Sequence, residues 1–336
     1  MLLKNKYVIG CHIMFYEIEM ISDYIDSLIN LSDGIENKEN IVIDLFFNCS
    51  QFFERINEEE MSKDELVKKF LNIIQNIEKS KLKCKYKIYD DDNTPYLIGD
   101  YRRDLNYNNC KDGDFIIWGE SDCLLPKETL SSIEQISEYA SSNGINKYTL
   151  TFAVRKMWDE SWGILEHPKF TNSDVYKHYD DEVWSERLTT DPASICYVMS
   201  NDEMNKLNLE TDELDVRLLD YPKFDGSGLV ISSDLIMNGV NVPHSTPACG
   251  EDTGFMINCK QLMGDNYKQF VIKNILKVHN RHHTKKRLYT IGEGGKDAKN
   301  FEKRDSNTKW KRVQEISEYN QSILGSSQEK FKRIGM

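Results

Sequence analysis

The chain has 336 residues, of which 29% are charged and 39% are hydrophobic. This composition is ordinary for a folded protein and excludes a largely disordered or fibrous chain. No apolar run approaches the roughly 20 residues that cross a bilayer. The eight cysteines are scattered without a Cys-x-x-Cys pair. We therefore expect a soluble, cytoplasmic protein with reduced thiols.

The net charge of −12 is divided unevenly along the sequence. Residues 273–336 contain 16 Lys and Arg against 7 Asp and Glu, so this tail carries +9 and residues 1–272 carry −21. A basic tail favours contact with a polyanion such as nucleic acid, a membrane surface or a phosphorylated ligand. A solvated tail that folds against the acidic body fits the charges equally well, and the sequence leaves both interpretations open.

Strands and helices alternate over the first 150 residues. Apolar periodicity predicts strands at residues 7–14, 41–47, 86–89, 114–118 and 148–154, with helices at 19–31, from 62, at 96–108 and at 126–139 between them. This alternation predicts an α/β fold with a Rossmann-like, mostly parallel central sheet flanked by helices. In such sheets ligands bind beyond the carboxyl ends of the strands.

Two carboxylates follow the fourth predicted strand, in the run Trp118-Gly119-Glu120-Ser121-Asp122. Both can reach one hard divalent cation, Mn²⁺ or Mg²⁺, through oxygen ligands. A cation there would neutralise the negative charge that develops on a departing nucleotide diphosphate. Acidic triplets after strands are also common solvated turns, so the motif on its own leaves that alternative open.

The segment from Tyr101 to Pro126 resembles the stretch that leads into the Asp-x-Asp motif of GT-A glycosyltransferases, in particular those of family 2. The shared features are an Arg and an Asn on a helix, a Gly, an apolar strand, the acidic motif and a proline, which correspond to Arg103, Asn106, Gly113, residues 115–118, Glu120, Asp122 and Pro126. The first acid is Glu instead of Asp, so the resemblance favours Asp122 over Glu120 as the metal ligand.

The resemblance implies a GT-A-like organisation of the chain. We expect a nucleotide-sugar-binding half at residues 1–126, an acceptor-binding and catalytic half at residues 127–290, and a basic C-terminal extension at residues 291–336. Donor contacts are expected from the ends of the first two strands and from the acidic segment. The candidate donor-binding residues are His12, Asn48, Arg103, Trp118, Glu120, Ser121, Asp122 and Arg281.

Further roles follow from the same resemblance. The pair Glu251 and Asp252 opens a predicted helix, and Asp252 corresponds to the general base that deprotonates the acceptor; helix capping is the alternative. A late histidine ligates the metal in several GT-A enzymes, which makes His279 the first choice beside Asp122 and Glu120; a basic surface turn is the alternative. Trp158 and Trp162 lie where such enzymes bind the acceptor, although core packing also suits tryptophan.

These residues support one leading hypothesis and two alternatives. The leading hypothesis is a metal-dependent, inverting glycosyltransferase that moves a hexose-like sugar from a nucleotide-diphosphate sugar, with a UDP-sugar as first choice, to a hydroxyl acceptor. The first alternative is a nucleic-acid-associated protein that uses the basic tail, including a sugar transferase that acts on modified DNA bases. A nucleotidyltransferase is less favoured because residues 11–16 do not form a Gly-rich loop after the first strand.

Overall fold

The computed structural model describes residues 1–18, 21–53, 55–56, 61–156, 168–171, 199–209, 213–219, 225–280, 301–302 and 308–333. The strands in these ranges are β1 (Tyr7–Met14), β2 (Ile41–Asn48), β3 (Arg55–Ile56), β4 (Lys83–Tyr89), β5 (Phe115–Glu120), β6 (Cys123–Leu124), β7 (Tyr148–Lys156), β8 (Val216–Leu219), β9 (Leu229–Ser232), β10 (Lys268–His279) and β11 (Phe301–Glu302). The α-helices are α1 (Ser22–Leu31), α2 (Lys63–Lys79), α3 (Ile98–Asn109), α4 (Thr129–Ser142), α5 (Pro168–Thr171), α6 (Asn201–Asn208), α7 (Ser233–Met237), α8 (Glu251–Met263) and α9 (Thr308–Arg333).

A mixed sheet forms the centre of the fold. Its order is β4-β2-β1-β5-β9-β7-β10-β6, and β8 pairs with the outer side of β10. Strands β4, β2, β1 and β5 are parallel, β9 is antiparallel to both β5 and β7, and β7 is parallel to β10. Six strands therefore end at one edge, which we call the carboxyl edge. The predicted α/β class with a mostly parallel sheet flanked by helices is confirmed.

Helices cover both faces of this sheet, which explains the continuous apolar runs in the central strands. One face packs against α1, α2 and α4 through side chains such as Tyr24, Phe70 and Ile133. The other packs against α3, α7 and α8 through side chains such as Leu105 and Phe255. Strands from both sides of the predicted boundary at residue 126 join the same sheet, and the domain boundaries stay a prediction.

The start of α2 shows how local sequence sets an element boundary. Ser62 precedes the helix, and its side chain accepts a hydrogen bond from the backbone N–H of Glu65 at 3.3 Å. Glu65 reciprocates by accepting from the backbone N–H of Ser62 at 2.8 Å. These two reciprocal hydrogen bonds form a capping box, which sets the start of the helix.

The acidic segment differs from the sequence-based prediction in one respect that positions the site. The strand predicted to end at Trp118 continues to Glu120, and the two-residue strand β6 follows it. Strand β6 pairs antiparallel with the end of β10, with His279 opposite Cys123. The backbone N–H of Asn280 also donates to the carbonyl of Asp122 at 2.6 Å. These bonds fix the acidic segment beside the last residue of β10.

The C-terminal helix α9 spans Thr308–Arg333. It lies against the loop that precedes α8: Asn320 donates to the carbonyl of Ser245 at 2.8 Å. Near its start, the ring of Trp310 meets the ring of Phe53 edge-on at 5.2 Å. The helix thus contacts both the segment after β2 and the segment before α8. Across the described residues, no helix combines the length and apolarity that crossing a membrane requires.

Candidate functional site

Three predicted metal ligands converge at the carboxyl edge. The Nε2 atom of His279 lies 3.1 Å from Oε2 of Glu120 and 3.3 Å from Oδ1 of Asp122. One possible ligand atom from each residue falls within 4.8 Å of the others. His279 and Asp122 are each 3% exposed, whereas the Glu120 side chain is 25% exposed. The cluster is therefore buried on the protein side and open at Glu120.

The chemistry of this cluster suits a divalent cation. Carboxylate oxygens bind Mg²⁺ and Mn²⁺, and imidazole is a competent ligand for transition metals. Burial works to lower the pKa of His279, but Asp122 and Glu120 outweigh it and raise that pKa above the ordinary value. The carboxylates thus attract positive charge to the position of the imidazole.

Arg102 links this cluster to the start of α8. Its guanidinium is 1% exposed, with Nη2 at 2.6 Å from Oε1 of Glu120 and Nη1 at 2.5 Å from Oε1 of Glu251. Nη2 also donates to the carbonyl of Gly226 at 3.2 Å. Glu120 consequently directs one oxygen to Arg102 and the other towards His279, which orients its carboxylate.

The indole ring of Trp118 packs against the guanidinium of Arg102. The guanidinium carbon lies 4.8 Å from the centroid of the indole, in a cation–π contact. The indole is fully buried, and its N–H donates to Asn106 at 2.9 Å. Because side chains alternate along β5, Trp118 and Glu120 share one face. Trp118 therefore packs against Arg102, and its predicted donor contact stays a prediction.

The predicted catalytic pair occupies the first turn of α8. Burial raises the pKa of Glu251 above its usual value, with the charge of Arg102 opposing and that of Asp252 reinforcing the shift. Asp252 is less buried; its Oδ2 accepts from the backbone N–H of Gly226 at 3.0 Å. Both acids are therefore tied to the metal cluster through Arg102 or Gly226.

Two predicted donor-binding residues lie at the ends of the first two strands, as expected, but are largely enclosed. His12 is 7% and Asn48 is 2% exposed, and Nδ2 of Asn48 lies 3.2 Å from Nε2 of His12. Asn48 also donates to the carbonyl of Tyr96 at 2.8 Å. These two side chains contact each other and the backbone of Tyr96, so they form part of the buried surface beneath the carboxyl edge.

The structure places Arg102, not Arg103, in the acidic cluster. Arg103, whose side chain is 14% exposed, forms an ion pair with Asp100 at 2.6 Å within α3. A signal for Arg102 was present in the sequence: it precedes Asn106 by four residues, so both side chains share a helix face. Asn106 in turn faces Trp118.

The other predicted site residues are Ser121, Trp158, Trp162 and Arg281. Ser121 is 3% exposed between the two acids. Trp158, Trp162 and Arg281 lie outside the described residues, as do residues 281–300 of the basic tail. Their acceptor, diphosphate and polyanion contacts stay predictions.

Comparison with known proteins gives similarity at the level of solved structures. No family model matches the chain, and no curated protein matches it. The chain is similar to glucosyl-3-phosphoglycerate synthase. For the Mycobacterium tuberculosis enzyme with Mn²⁺, UDP and glucosyl-3-phosphoglycerate, identity is 13%, the TM-score is 0.38, and 82% of this chain and 72% of that chain are covered.

Two further structures give similar values. The same synthase with Mg²⁺ and UDP is 12% identical, with a TM-score of 0.39 and coverage of 82% of this chain and 72% of that chain. A mycobacterial protein is 11% identical, with a TM-score of 0.39 and coverage of 82% and 68%.

Replacing Arg102 should destabilise the protein far more than replacing its neighbour. In Arg102→Met, Glu120 and Glu251 lose a buried cationic partner, which costs about 3–5 kcal/mol. Arg103→Met removes a more exposed pair and should cost about 1 kcal/mol or less. Urea unfolding of both variants measures the difference. Equal losses would show that Arg102 is not the buried link described above.

Mn²⁺ binding should weaken as the pH falls. Asp122 and Glu120 favour a proton on His279, and the metal must displace that proton. Below the raised pKa, affinity should fall about tenfold per pH unit if one proton is released. Titration calorimetry over a pH series measures this, and His279→Gln should bind more weakly with most of the pH dependence lost. A wild-type affinity independent of pH would contradict His279 as a ligand.

Proposed function

We propose that this protein is a metal-dependent glycosyltransferase with a GT-A-like fold, which transfers a sugar from a nucleotide-diphosphate sugar to a hydroxyl acceptor. The observation that carries the proposal is the convergence of Glu120, Asp122 and His279 at the carboxyl edge of a mostly parallel sheet. Ligands of α/β folds bind at this edge. The second support is the pair of acids at the start of α8, which Arg102 joins to the same cluster.

Asp122 and His279 would hold the cation, since both are buried and their ligand atoms are 3.3 Å apart. Glu120 would contribute its Oε2 atom while Arg102 restrains its other oxygen. When bound, a divalent cation supplies neutralisation of the negative charge that develops on the departing diphosphate. The end of β5, the turn before β6 and the end of β10 carry the three ligands, and backbone hydrogen bonds between the Asp122 segment and β10 hold them together before a cation binds.

Asp252 is the preferred general base. Its carboxylate is partly exposed, whereas Glu251 is buried and paired with Arg102. The backbone N–H of Gly226 holds Oδ2 of Asp252 in one orientation. A carboxylate held in this way can accept the proton of an acceptor hydroxyl that comes within hydrogen-bond distance. Attack on the face opposite the diphosphate would then invert the anomeric centre.

Donor turnover tests the metal assignment. The wild-type protein is incubated with a panel of nucleotide sugars, UDP-sugars first, with Mn²⁺ or with a chelator, and released nucleotide is measured. We expect slow hydrolysis that requires metal and falls by about 10²-fold or more in Asp122→Ala. The exposed Asp112→Ala is the control for loss of an acid nearby in the sequence. No release from any donor would contradict the proposed function, and full activity in Asp122→Ala would contradict the metal site.

Two neighbouring variants test the base. Asp252→Asn should keep nucleotide binding but lower turnover by about 10²–10⁴-fold, because the amide cannot accept the proton. Glu251→Gln should retain more turnover, since Glu251 acts through its contact with Arg102. Nucleotide affinity and single-turnover hydrolysis are measured for both. If Glu251→Gln loses turnover and Asp252→Asn does not, the base is Glu251.

A further inference from the structure

A four-residue turn before β9, Asp225 to Gly228, contacts residues of the proposed active site. We call it the Asp225 turn. The N–H of Gly226 donates to Asp252, and its carbonyl accepts from Arg102. The N–H of Gly228 donates to the carbonyl of Trp118 at 2.6 Å. One short stretch of backbone therefore contacts the candidate base, the buried arginine and strand β5.

Close approach explains the two glycines in this turn. A Cβ atom on Gly226 would lie 2.4 Å from Nη1 of Arg102 and 3.0 Å from Cβ of Asp252. Gly228 has a φ of +63°, which side chains other than glycine rarely adopt. The backbone is thus packed directly on the site, and a small displacement of the turn would move Asp252 and Arg102.

A buried lysine holds this turn from β10. Lys277 is fully buried, and its Nζ lies 2.9 Å from Oδ2 of Asp225. The same amine donates to the carbonyl of Ser227. Asp225 is 3% exposed, and its other oxygen accepts from the hydroxyl of Ser227 at 2.9 Å. The amine of Lys277 therefore joins β10 to the first residue of the turn through an ion pair and to the third residue through a hydrogen bond.

The position of Lys277 relates this pair to the metal cluster. Lys277 precedes His279 by two residues on β10, so both side chains lie on the same face of the strand. His279 contributes to the metal cluster, while Lys277 fixes the turn that contacts Asp252. One strand therefore determines the separation between the proposed metal ligand and the proposed base.

We propose that Lys277 and Asp225 are positioning residues that set the placement of Asp252 and Arg102 relative to His279. The proposal rests on the proposed function of that site. Burying two charges is costly, so such a pair is a weak device for stability alone. The ion pair and the hydrogen bond of Lys277 require a specific geometry, however, and they hold the Asp225 turn at one position along β10. A displacement of about 1 Å in an active site can cost about 10²-fold in rate.

The test uses Lys277→Met, Asp225→Asn and the double variant, with Lys273→Met as a control on the same strand. Lys273 is partly exposed and belongs to neither cluster. We expect the single variants to lower turnover of the best nucleotide sugar by about 10²-fold, with the KM for donor and the affinity for Mn²⁺ close to wild type. The double variant should be no worse than the worse single variant, because the two residues act as one unit. Lys273→Met should keep full turnover.

Amide hydrogen exchange at Gly226 and Gly228, followed by NMR, measures how firmly the Asp225 turn is held and does not depend on enzymatic activity. We expect both amides to exchange at least about tenfold faster in Lys277→Met and Asp225→Asn, relative to the amides of β5. Asp225→Asn keeps the shape of the side chain and provides the test if Lys277→Met does not fold. Unchanged exchange and turnover in a folded variant would overturn the proposal. Turnover that falls only in proportion to lost Mn²⁺ binding would also overturn it.

Failure of the positioning role can be distinguished from failure of the proposed function. An active wild type with equally active variants contradicts the positioning role alone. An inactive wild type contradicts the glycosyltransferase assignment, and the exchange measurement still decides whether Lys277 and Asp225 fix the turn.

Discussion

Concentrated negative charge is the constraint on which the rest of the site depends. Five carboxylates meet at the carboxyl edge or directly behind it: Glu120, Asp122, Asp225, Glu251 and Asp252. Arg102 and Lys277, both buried, form ion pairs with members of this group. Burial is the main cause that raises the pKa of Glu251, with the charge of Asp252 adding to it, and the charges of Asp122 and Glu120 raise the pKa of His279 against the effect of burial. Carboxylates held this close together also repel one another. A divalent cation at the cluster would relieve this repulsion, which links the electrostatics of the fold to the proposed chemistry.

Arg102 and Lys277 hold different parts of the site in place. Arg102, on α3, joins the acidic strand β5 to the start of α8 and rests on Trp118. Lys277, on β10, holds the Asp225 turn, whose backbone then contacts Arg102 and Asp252. The metal cluster and the candidate base are therefore parts of one hydrogen-bonded unit. Helix α9 also contacts the loop before α8, because its residue Asn320 donates a hydrogen bond to the carbonyl of Ser245.

Much of this arrangement follows from the sequence, and the exceptions have physical causes. Alternating strands and helices predicted the sheet, and the carboxyl ends of parallel strands brought Asp122 and His279 together. The two-residue strand β6, which fixes that contact, is too short to leave a periodic signal. Arg102 and Arg103 are adjacent, and the resemblance selected Arg103, which pairs with Asp100 within α3. The alternation along β5 places Trp118 on the same face as Glu120, and Arg102 packs on that face.

The central claim is that Asp122 and His279 bind one divalent cation at the carboxyl edge. Crystals grown with Mn²⁺ and a nucleoside diphosphate, with anomalous diffraction data collected at the manganese edge, test it most directly. The account predicts one strong anomalous peak at bonding distance from Oδ1 of Asp122 and Nε2 of His279, beside the diphosphate. A peak elsewhere on the protein, or an empty cluster with the nucleotide bound, would contradict the account.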